Sequence, residues 1–289
     1  MIKPDPVLQV EHLSVAFSRK GQLADMVLQD ISFSLQRGEC LVVVGESGSG
    51  KTTLCRTLAG LLRPCGGQIL VHGKAVCSSH QTSVSGISLI FQGQQALDNQ
   101  LSLFEVLAEP LWARHLCATS AALQAQVRHL CKLTALDEAL LPLPVAVLSG
   151  GQRQRAALAR ALAIKPHILL GDEFTAALDV LLQAQLINTL MQLKQEGLSL
   201  ILVTHDLQLA SCIGDRIAVM YAGRLVELAR AQELYTSPKH PYTCYLLKAQ
   251  LPLDPKRARA LVLAPDDDLP RLDGDATWQQ VSPEHWVLI

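Results

Sequence analysis

The segment Gly45-Glu46-Ser47-Gly48-Ser49-Gly50-Lys51-Thr52 decides the fold. It fits the pattern G-x-x-x-x-G-K-[ST] at every position and lies between an apolar strand, Cys40–Val44, and a helix predicted over about 51–62. Its glycines let the backbone wrap so that N–H groups point inward as an anion nest, and the helix adds its positive N-terminal end. The pattern predicts a phosphate site in an α/β protein, with Lys51 on the phosphates and the Thr52 hydroxyl on Mg²⁺.

Two carboxylates follow a second apolar strand about 120 residues downstream, in the segment His167-Ile168-Leu169-Leu170-Gly171-Asp172-Glu173. Because ligands gather at the carboxyl ends of parallel strands, we expect Asp172 and Glu173 beside the phosphate loop. Asp172 would then hold Mg²⁺. Glu173 would polarise the water that attacks a γ-phosphate, as a general base.

A second glycine-rich helix start is Leu148-Ser149-Gly150-Gly151-Gln152, which precedes an Ala/Leu-rich helix. Free N–H groups and the helix dipole make it a second phosphate-binding terminus. An N-cap by Ser149 would explain the serine, but neither the two glycines nor the glutamine. Two such termini in one chain suggest that each serves a different nucleotide.

Composition argues against several other classes of protein. Half of the residues are apolar, with 49% hydrophobic and only 4% aromatic, which suits parallel strands covered by helices. A net charge of −1 gives no basic excess for nucleic acid. The eight cysteines form no C-x-x-C pair and are expected to be free thiols. We expect neither a signal peptide nor a membrane-spanning segment.

The order of elements along the chain predicts an α/β core with additions. The first forty residues have the pattern of antiparallel strands, including Ile31–Leu35 with period two. Helical spacing replaces strand patterns after residue 93, which predicts an inserted helical subdomain over about 93–155. Strands and helices then alternate again, ending in a hairpin around Ala222-Gly223. Beyond Thr236 the chain is proline-rich, and we expect an irregular, separate C-terminal appendage.

Leu148–Gln152 reads LSGGQ, the signature of ABC proteins, and residues 7–250 resemble ABC transporter ATPases. The resemblance implies a P-loop NTPase core of the ABC type with an N-terminal antiparallel β-subdomain and an inserted helical subdomain. It places the nucleotide-binding domain at 7–235 and a short C-terminal extension at 236–289. The activity it implies is ATP hydrolysis coupled to solute translocation.

The resemblance also assigns roles to single residues from which no function could be predicted without the neighbouring motifs. It implies a head-to-tail dimer in which Ser149 and Gly151 cap the γ-phosphate held by the other subunit's loop. Gln92 corresponds to the Q-loop, a further Mg²⁺ contact, and His205 to the switch histidine on the γ-phosphate. Phe17 is the candidate that stacks on adenine. The D-loop at the dimer interface is Ala177-Leu178-Asp179. The residues expected to bind ATP within one subunit are Phe17, Gly45, Glu46, Ser47, Gly48, Ser49, Gly50, Lys51, Thr52, Thr53 and Gln92.

Met220–Glu227 and Ser237–Thr243, together with Val180–Gln185, are similar to the ATPases of oligopeptide, dipeptide and nickel importers. That family implies two ATPases, usually a heterodimer but in some cases a homodimer, beneath two permease subunits. A binding protein delivers the solute, here peptides, nickel or metal chelates. The expected location is peripheral, at the cytoplasmic face of the membrane. Because no cysteine follows Cys244, we expect no iron–sulfur cluster.

The chain departs from the family at positions next to the chemistry: Phe174 replaces a usual proline, Ala176 a hydroxyl residue, and Gly93-Gln94 the usual Asp-Pro. Two alternatives follow. One is a low-activity cassette paired with a more active one. The other is a soluble, non-transport ABC ATPase, although such chains usually carry two cassettes or a long heptad insertion, and this sequence has neither.

Overall fold

The structure is a computed structural model that describes residues 5–17, 25–76, 86–91, 97–174, 178–249 and 276–289. It contains two sheets with helices around them, as the α/β prediction required. None of the helices in these described ranges combines the length and the apolar character needed to span a bilayer.

The N-terminal sheet is antiparallel, in the order β2-β1-β4-β5. Its strands alternate between buried and half-exposed residues, because one face packs on the core and the other contacts solvent. The antiparallel strands predicted for the first forty residues are confirmed. Their bounds are β1 Leu8–Phe17, β2 Asp25–Leu35, β4 Gly66–Val71 and β5 Lys74–Ala75.

The second sheet has eight strands in the order β11-β12-β10-β9-β3-β8-β7-β6. Strands β6, β7, β8, β3 and β9 run parallel, so their carboxyl ends lie at one edge. Every residue of β3, β7 and β8 is buried, as their unbroken apolar runs predict. The bounds are β3 Cys40–Val44, β6 Ile87–Ile90, β7 Ile168–Asp172, β8 Ser199–Val203, β9 Arg216–Tyr221, β10 Arg224–Arg230, β11 Trp278–Ser282 and β12 His285–Leu288.

The central strands separate two hydrophobic cores, because successive side chains point to opposite faces of a sheet. Leu41 and Val43 of β3 pack in the core formed with the N-terminal sheet and the first helix. Val42 and Val44 pack in the other core, with the remaining helices. The helices are α1 Lys51–Leu58, α2 Leu103–Ala113, α3 Ser120–Leu133, α4 Gly150–Leu162, α5 Val180–Gln195, α6 Leu207–Ile213, α7 Ala231–Thr236 and α8 Pro241–Lys248.

Helices α2, α3 and α4 pack on one another, which agrees with a helical subdomain following residue 93. Short 3-10 turns at Glu138–Leu140 and Val145–Val147 lie between α3 and α4. The domain limits at 93–155 and 235/236 stay predictions.

The described residues of the C-terminal part, 237–249 and 276–289, are more regular than the sequence indicates, and for them the expectation of an irregular, separate appendage was wrong. Helix α8 begins at Pro241 after an N-cap by His240, and β12 pairs with β10, so the last residues extend the main sheet. Glu227 of β10 and His285 of β12, both fully buried, meet at 2.6 Å between Oε1 and Nε2. These elements are too short for a periodic pattern, so their burial depends on partners far away in the chain.

Candidate active site

The loop at residues 45–50 joins β3 to α1 and has the conformation that its glycines allow. Gly45, Gly48 and Gly50 have φ angles of 153°, 86° and 103°. A Cβ on Gly45 would lie 2.2 Å from the carbonyl oxygen of Met220, so no other residue fits there without a backbone shift. A Cβ on Gly48 would meet no atom within 4 Å. The loop therefore has open space above Gly48, where a phosphate can approach the backbone.

The Lys51 side chain turns back into this loop. Its Nζ donates to the carbonyl oxygens of Gly45 at 2.8 Å and Glu46 at 2.6 Å. Only 5% of the residue is exposed, and burial lowers the pKa of its ammonium group, an effect opposed by the nearby carboxylates of Glu173 and Asp172. The cation is thus held where phosphate oxygens would enter the loop.

Asp172, the last residue of β7, lies beside the start of α1. The Thr52 hydroxyl donates to its Oδ1 at 3.2 Å. Burial raises the pKa of the Asp172 carboxyl, against the lowering effect of the Thr52 hydrogen bond. A hydroxyl and a carboxylate side by side are oxygen ligands of the kind that Mg²⁺ prefers, so these residues fit the ion expected there.

Glu173 and His205 meet at the same edge of the sheet. His205 Nδ1 lies 3.5 Å from Glu173 Oε1, and the histidine is the more exposed of the two side chains. Glu173 has a φ of 45°, which is uncommon for a residue other than glycine. Its N–H donates to the carbonyl oxygen of Val203 at 3.0 Å. The geometry brings a carboxylate and an imidazole together near the positive charge of Lys51. This arrangement suits a carboxylate that acts as a general base.

The start of α4 is open to solvent at Ser149 and Gly150, whereas Gly151 is buried. The Ser149 hydroxyl accepts the Gln152 N–H at 3.3 Å, and Gln152 Oε1 accepts the Ser149 N–H at 2.8 Å. This capping box explains Gln152 as well as the serine, so the view that a helix cap leaves the glutamine unexplained was wrong. The capping box does not explain the glycines. At Gly151 the structure gives a separate reason, because a Cβ there would lie 2.6 Å from a methyl carbon of Leu182.

The remaining predicted residues are not all within the described chain. Gln92 and Ala177 lie outside the described residues. Asp179 accepts the Leu182 N–H at 3.0 Å and caps α5. Phe17 ends β1 with 44% of its surface exposed and pairs with Asp25 of the neighbouring strand. Leu178 is half-buried just before α5.

Sequence reasoning missed the residues that support the phosphate loop from outside. Leu28 of β2 and Met220 of β9 enclose Gly50, where a Cβ would lie 2.8 Å from a Leu28 methyl carbon. The Gly223 N–H donates to the Ser49 carbonyl oxygen at 3.1 Å. The Glu46 N–H donates to the hydroxyl of Tyr242 at 3.0 Å. No local pattern marks these residues, since each contacts the loop from a distant part of the chain.

Phe174, a departure noted in the sequence, is buried and packs on the strand that precedes it. A Cβ on Gly171 would lie 2.6 Å from Cδ1 of Phe174. The Phe174 carbonyl oxygen accepts a hydrogen bond from Gln154 Nε2 of α4. The aromatic ring is therefore accommodated by a glycine in β7, and the Phe174 backbone links the end of β7 to α4.

The family profile described as ABC transporter matches residues 28–176. The chain is 40% identical over 238 residues to the probable peptide ABC transporter ATP-binding protein y4tS of Sinorhizobium fredii, covering 80% of this chain and 67% of that protein. It is 35% identical over 296 residues to the dipeptide transport ATP-binding protein DppF of Lactococcus lactis, covering 99% and 95%. A dimeric post-hydrolysis structure of the ATP-binding cassette MJ0796 with ADP and Pi has a TM-score of 0.71 and 26% identity, covering 78% of this chain and 98% of that one.

Proposed function

The chain belongs to the ABC transporter family as an ATP-hydrolysing subunit of an importer, and from that premise we propose that residues 45–53 bind MgATP phosphates and that Glu173 directs their hydrolysis. The observation that carries the proposal is the meeting of three groups at one edge of the sheet. These groups are the Lys51 loop, the Thr52–Asp172 pair at 3.2 Å, and the Glu173–His205 pair at 3.5 Å.

Thr52 and Asp172, with Gln92 outside the described residues, would hold Mg²⁺, which supplies positive charge to the phosphate oxygens when bound. Lys51 and the loop amides orient the polyphosphate, and Glu173 accepts the proton of an attacking water. His205, with its exposed ring beside Glu173, contacts the γ-phosphate. Phe17, exposed at the end of β1, supports the adenine.

The second half of the phosphate site comes from another ATPase subunit in this proposal. The exposed helix start at Ser149 and Gly150 offers free N–H groups to the other subunit's γ-phosphate. Next to the D-loop, Val180 and Leu181 expose 83% and 69% of their surface, which supports a partner on that side. Closure of this dimer around two ATP molecules stores binding energy, and hydrolysis releases it.

ATP binding by the purified chain is the direct test of the phosphate site. Replacing Lys51 by Ala removes a buried cation whose charge-assisted bonds we expect to move to the phosphates. The affinity for MgATP should fall about 30- to 100-fold, equivalent to about 2–3 kcal/mol. Calorimetric titration measures it. The matched control is Lys165→Ala, a lysine after α4, which should bind ATP as the unchanged chain does. Equal affinity of both variants would contradict the assignment.

Peptides are the proposed cargo, because the similar proteins are named for peptide and dipeptide transport and the His240–Thr243 stretch belongs to the same resemblance. The chain acts with membrane permease subunits. We place it as a peripheral subunit at the cytoplasmic face, supplied by a peptide-binding protein and paired with a second ATPase, which is either a related but different chain or a second copy of this one.

Affinity capture from detergent-solubilised membranes tests the partners. The tagged chain should recover two permease subunits and a second ATPase, and mass spectrometry identifies them. Recovery of ribosomes or DNA instead would support a non-transport ATPase. Peptide uptake by the host strain should fail when Lys51→Ala replaces the unchanged chain, whereas continued uptake would contradict the transport role.

A further inference from the structure

The phosphate loop is hydrogen-bonded to the C-terminal region through a buried tyrosine, Tyr242. The Glu46 N–H donates to the Tyr242 hydroxyl at 3.0 Å, although the two residues are 196 positions apart. Tyr242 is fully buried in α8, and its ring stacks on Tyr221 with centroids 4.2 Å apart. Tyr221 ends β9, just before the turn whose Gly223 N–H bonds the loop at Ser49. Besides the packing of Leu28 and Met220, hydrogen bonds with Tyr242 and Gly223 therefore hold the loop from outside the motif.

The peptide unit between Gly45 and Glu46 is the point at which this tyrosine acts. Its N–H donates to Tyr242, and its carbonyl oxygen, that of Gly45, accepts Lys51 Nζ at 2.8 Å. A peptide unit is planar, so fixing the direction of the N–H also fixes the direction of the carbonyl. The Tyr242 hydroxyl thus sets the orientation of the group that holds the Lys51 ammonium.

Tyr242 is itself positioned by a buried polar network. Its N–H donates to Nδ1 of His240, the N-cap of α8, at 3.1 Å. The backbone N–H groups of His240 and Lys239 donate to the two carboxylate oxygens of Glu227 at 2.9 and 2.8 Å. Glu227 also contacts His285 of the last strand at 2.6 Å. A continuous series of polar contacts therefore runs from β12 to the phosphate loop.

The Tyr242 hydroxyl keeps its proton at neutral pH, because burial raises its pKa to about 12. A neutral hydroxyl accepts the Glu46 N–H without placing a negative charge beside a site for anionic phosphates. Without the hydroxyl, the Glu46 N–H would lose this partner, and the peptide would gain freedom to rotate.

We propose that Tyr242 is a positioning residue for the phosphate loop, which orients the Gly45–Glu46 peptide and through it Lys51, so that the C-terminal extension sets the affinity for ATP. This inference rests on the proposed role of the loop as the phosphate site and deepens it. The residue does not touch the nucleotide, and its effect is on binding rather than on the chemical step.

Replacing Tyr242 by Phe tests the inference, because the ring that stacks on Tyr221 is retained and only the hydroxyl is lost. The KM for ATP, and the Kd for MgATP, should rise about 3- to 10-fold, the range for one net hydrogen bond. The kcat should stay within about twofold, since Glu173 and Asp172 are unchanged. Amide exchange in the segment 44–50 should become faster in this variant, as measured by mass spectrometry.

The matched control is Tyr235→Phe, which also removes a tyrosine hydroxyl near the C-terminal extension. That hydroxyl donates to the carbonyl oxygen of Leu207 in α6 and not to the loop. A role in stability alone predicts that both variants lower the melting temperature and neither changes the KM. The positioning role predicts a raised KM and faster loop exchange only for Tyr242→Phe.

The outcomes separate this inference from the proposed function. Suppose that the unchanged chain binds ATP and that Lys51→Ala lowers the affinity for MgATP. If Tyr242→Phe then has the affinity of the unchanged chain, the role of Tyr242 is overturned while the phosphate site stands. If the unchanged chain binds no ATP, both fail. A raised KM in both tyrosine variants would also overturn the specific role of Tyr242.

Discussion

Replacing Glu173 by Gln should abolish ATP turnover almost completely, by about 10²- to 10⁴-fold, while MgATP still binds. The amide retains the size of the side chain but cannot accept a proton from the attacking water. Lys51, Thr52 and Asp172 are left in place, so the phosphate contacts persist. Phosphate release at saturating ATP measures the loss, and titration with ATP measures binding.

The local backbone supports this choice of general base. Glu173 is held at a φ of 45° by its N–H bond to Val203, a conformation that costs about 1–3 kcal/mol and persists where the surroundings determine it. Such an outlier next to a buried carboxylate and a histidine is a reason to suspect a functional position. Asp172, by contrast, is committed to the Thr52 hydroxyl.

If two copies close around ATP as proposed, the same variant should accumulate as a nucleotide-bound dimer, since hydrolysis is the step that would separate them. Size-exclusion chromatography with ATP should show the larger species. Glu196→Gln, an exposed change at the end of α5, is the control and should turn over normally. Turnover by Glu173→Gln equal to that of the unchanged chain would remove Glu173 from the mechanism.

Replacing Ser149 by Arg should lower turnover by at least about 10²-fold with little change in ATP affinity, the loss expected when a preorganised donor to a transition state is removed. The affinity is preserved because the loop at residues 45–53 belongs to the same subunit as the bound ATP. The turnover falls because the long cation blocks the helix start that would cap the γ-phosphate of the neighbouring subunit. Turnover and binding are measured as for Glu173→Gln.

Ser102 provides a matched control, because it is the N-cap of α2 and forms a complete capping box with Glu105, as Ser149 does with Gln152. If Ser149 only caps a helix, Ser102→Arg and Ser149→Arg should affect turnover alike, through stability. If Ser149 contacts phosphate, only its variant should lose turnover.

Mixing two inactive variants tests whether the site is shared between subunits. In a mixture of Lys51→Ala and Ser149→Arg, half of the dimers contain one of each, and one of their two sites is intact. The activity should recover to about a quarter of that of the unchanged chain if two copies pair head to tail. No recovery, with both variants folded, would contradict a site shared between two copies.

Local patterns predicted the parts of the fold that local interactions decide. Helix α3, Ser120–Leu133, lies in the region predicted to be helical after residue 93, because its apolar residues recur at helical spacing and Thr119 caps it. Strands β3 and β7 were predicted from continuous apolar runs, which are typical of strands buried on both faces. Strand β6 and helix α8 were missed, since neither has a long continuous apolar run or a clear periodic pattern.

The residues of the candidate site could likewise be identified from the order and spacing of the motifs along the sequence. Not all of the contacts between these residues could be predicted. The approach of Thr52 to Asp172 follows from parallel strands that share one edge. The capping role of Gln152 was missed, although its position three residues after Ser149 fits the capping-box pattern S-x-x-Q. The support of the loop by Tyr242 could not be predicted from any motif.

The sequence by itself determined the class of protein and pointed to the candidate reactive groups, because each motif that carries them is specified within a few consecutive residues. The tertiary structure alone decided how the loop is held, since Met220, Gly223 and Tyr242 reach it from the last third of the chain. The physical reason is that a hydrogen bond or a steric contact depends on distance in space. Residues 196 positions apart become neighbours only when the main sheet and α8 have packed.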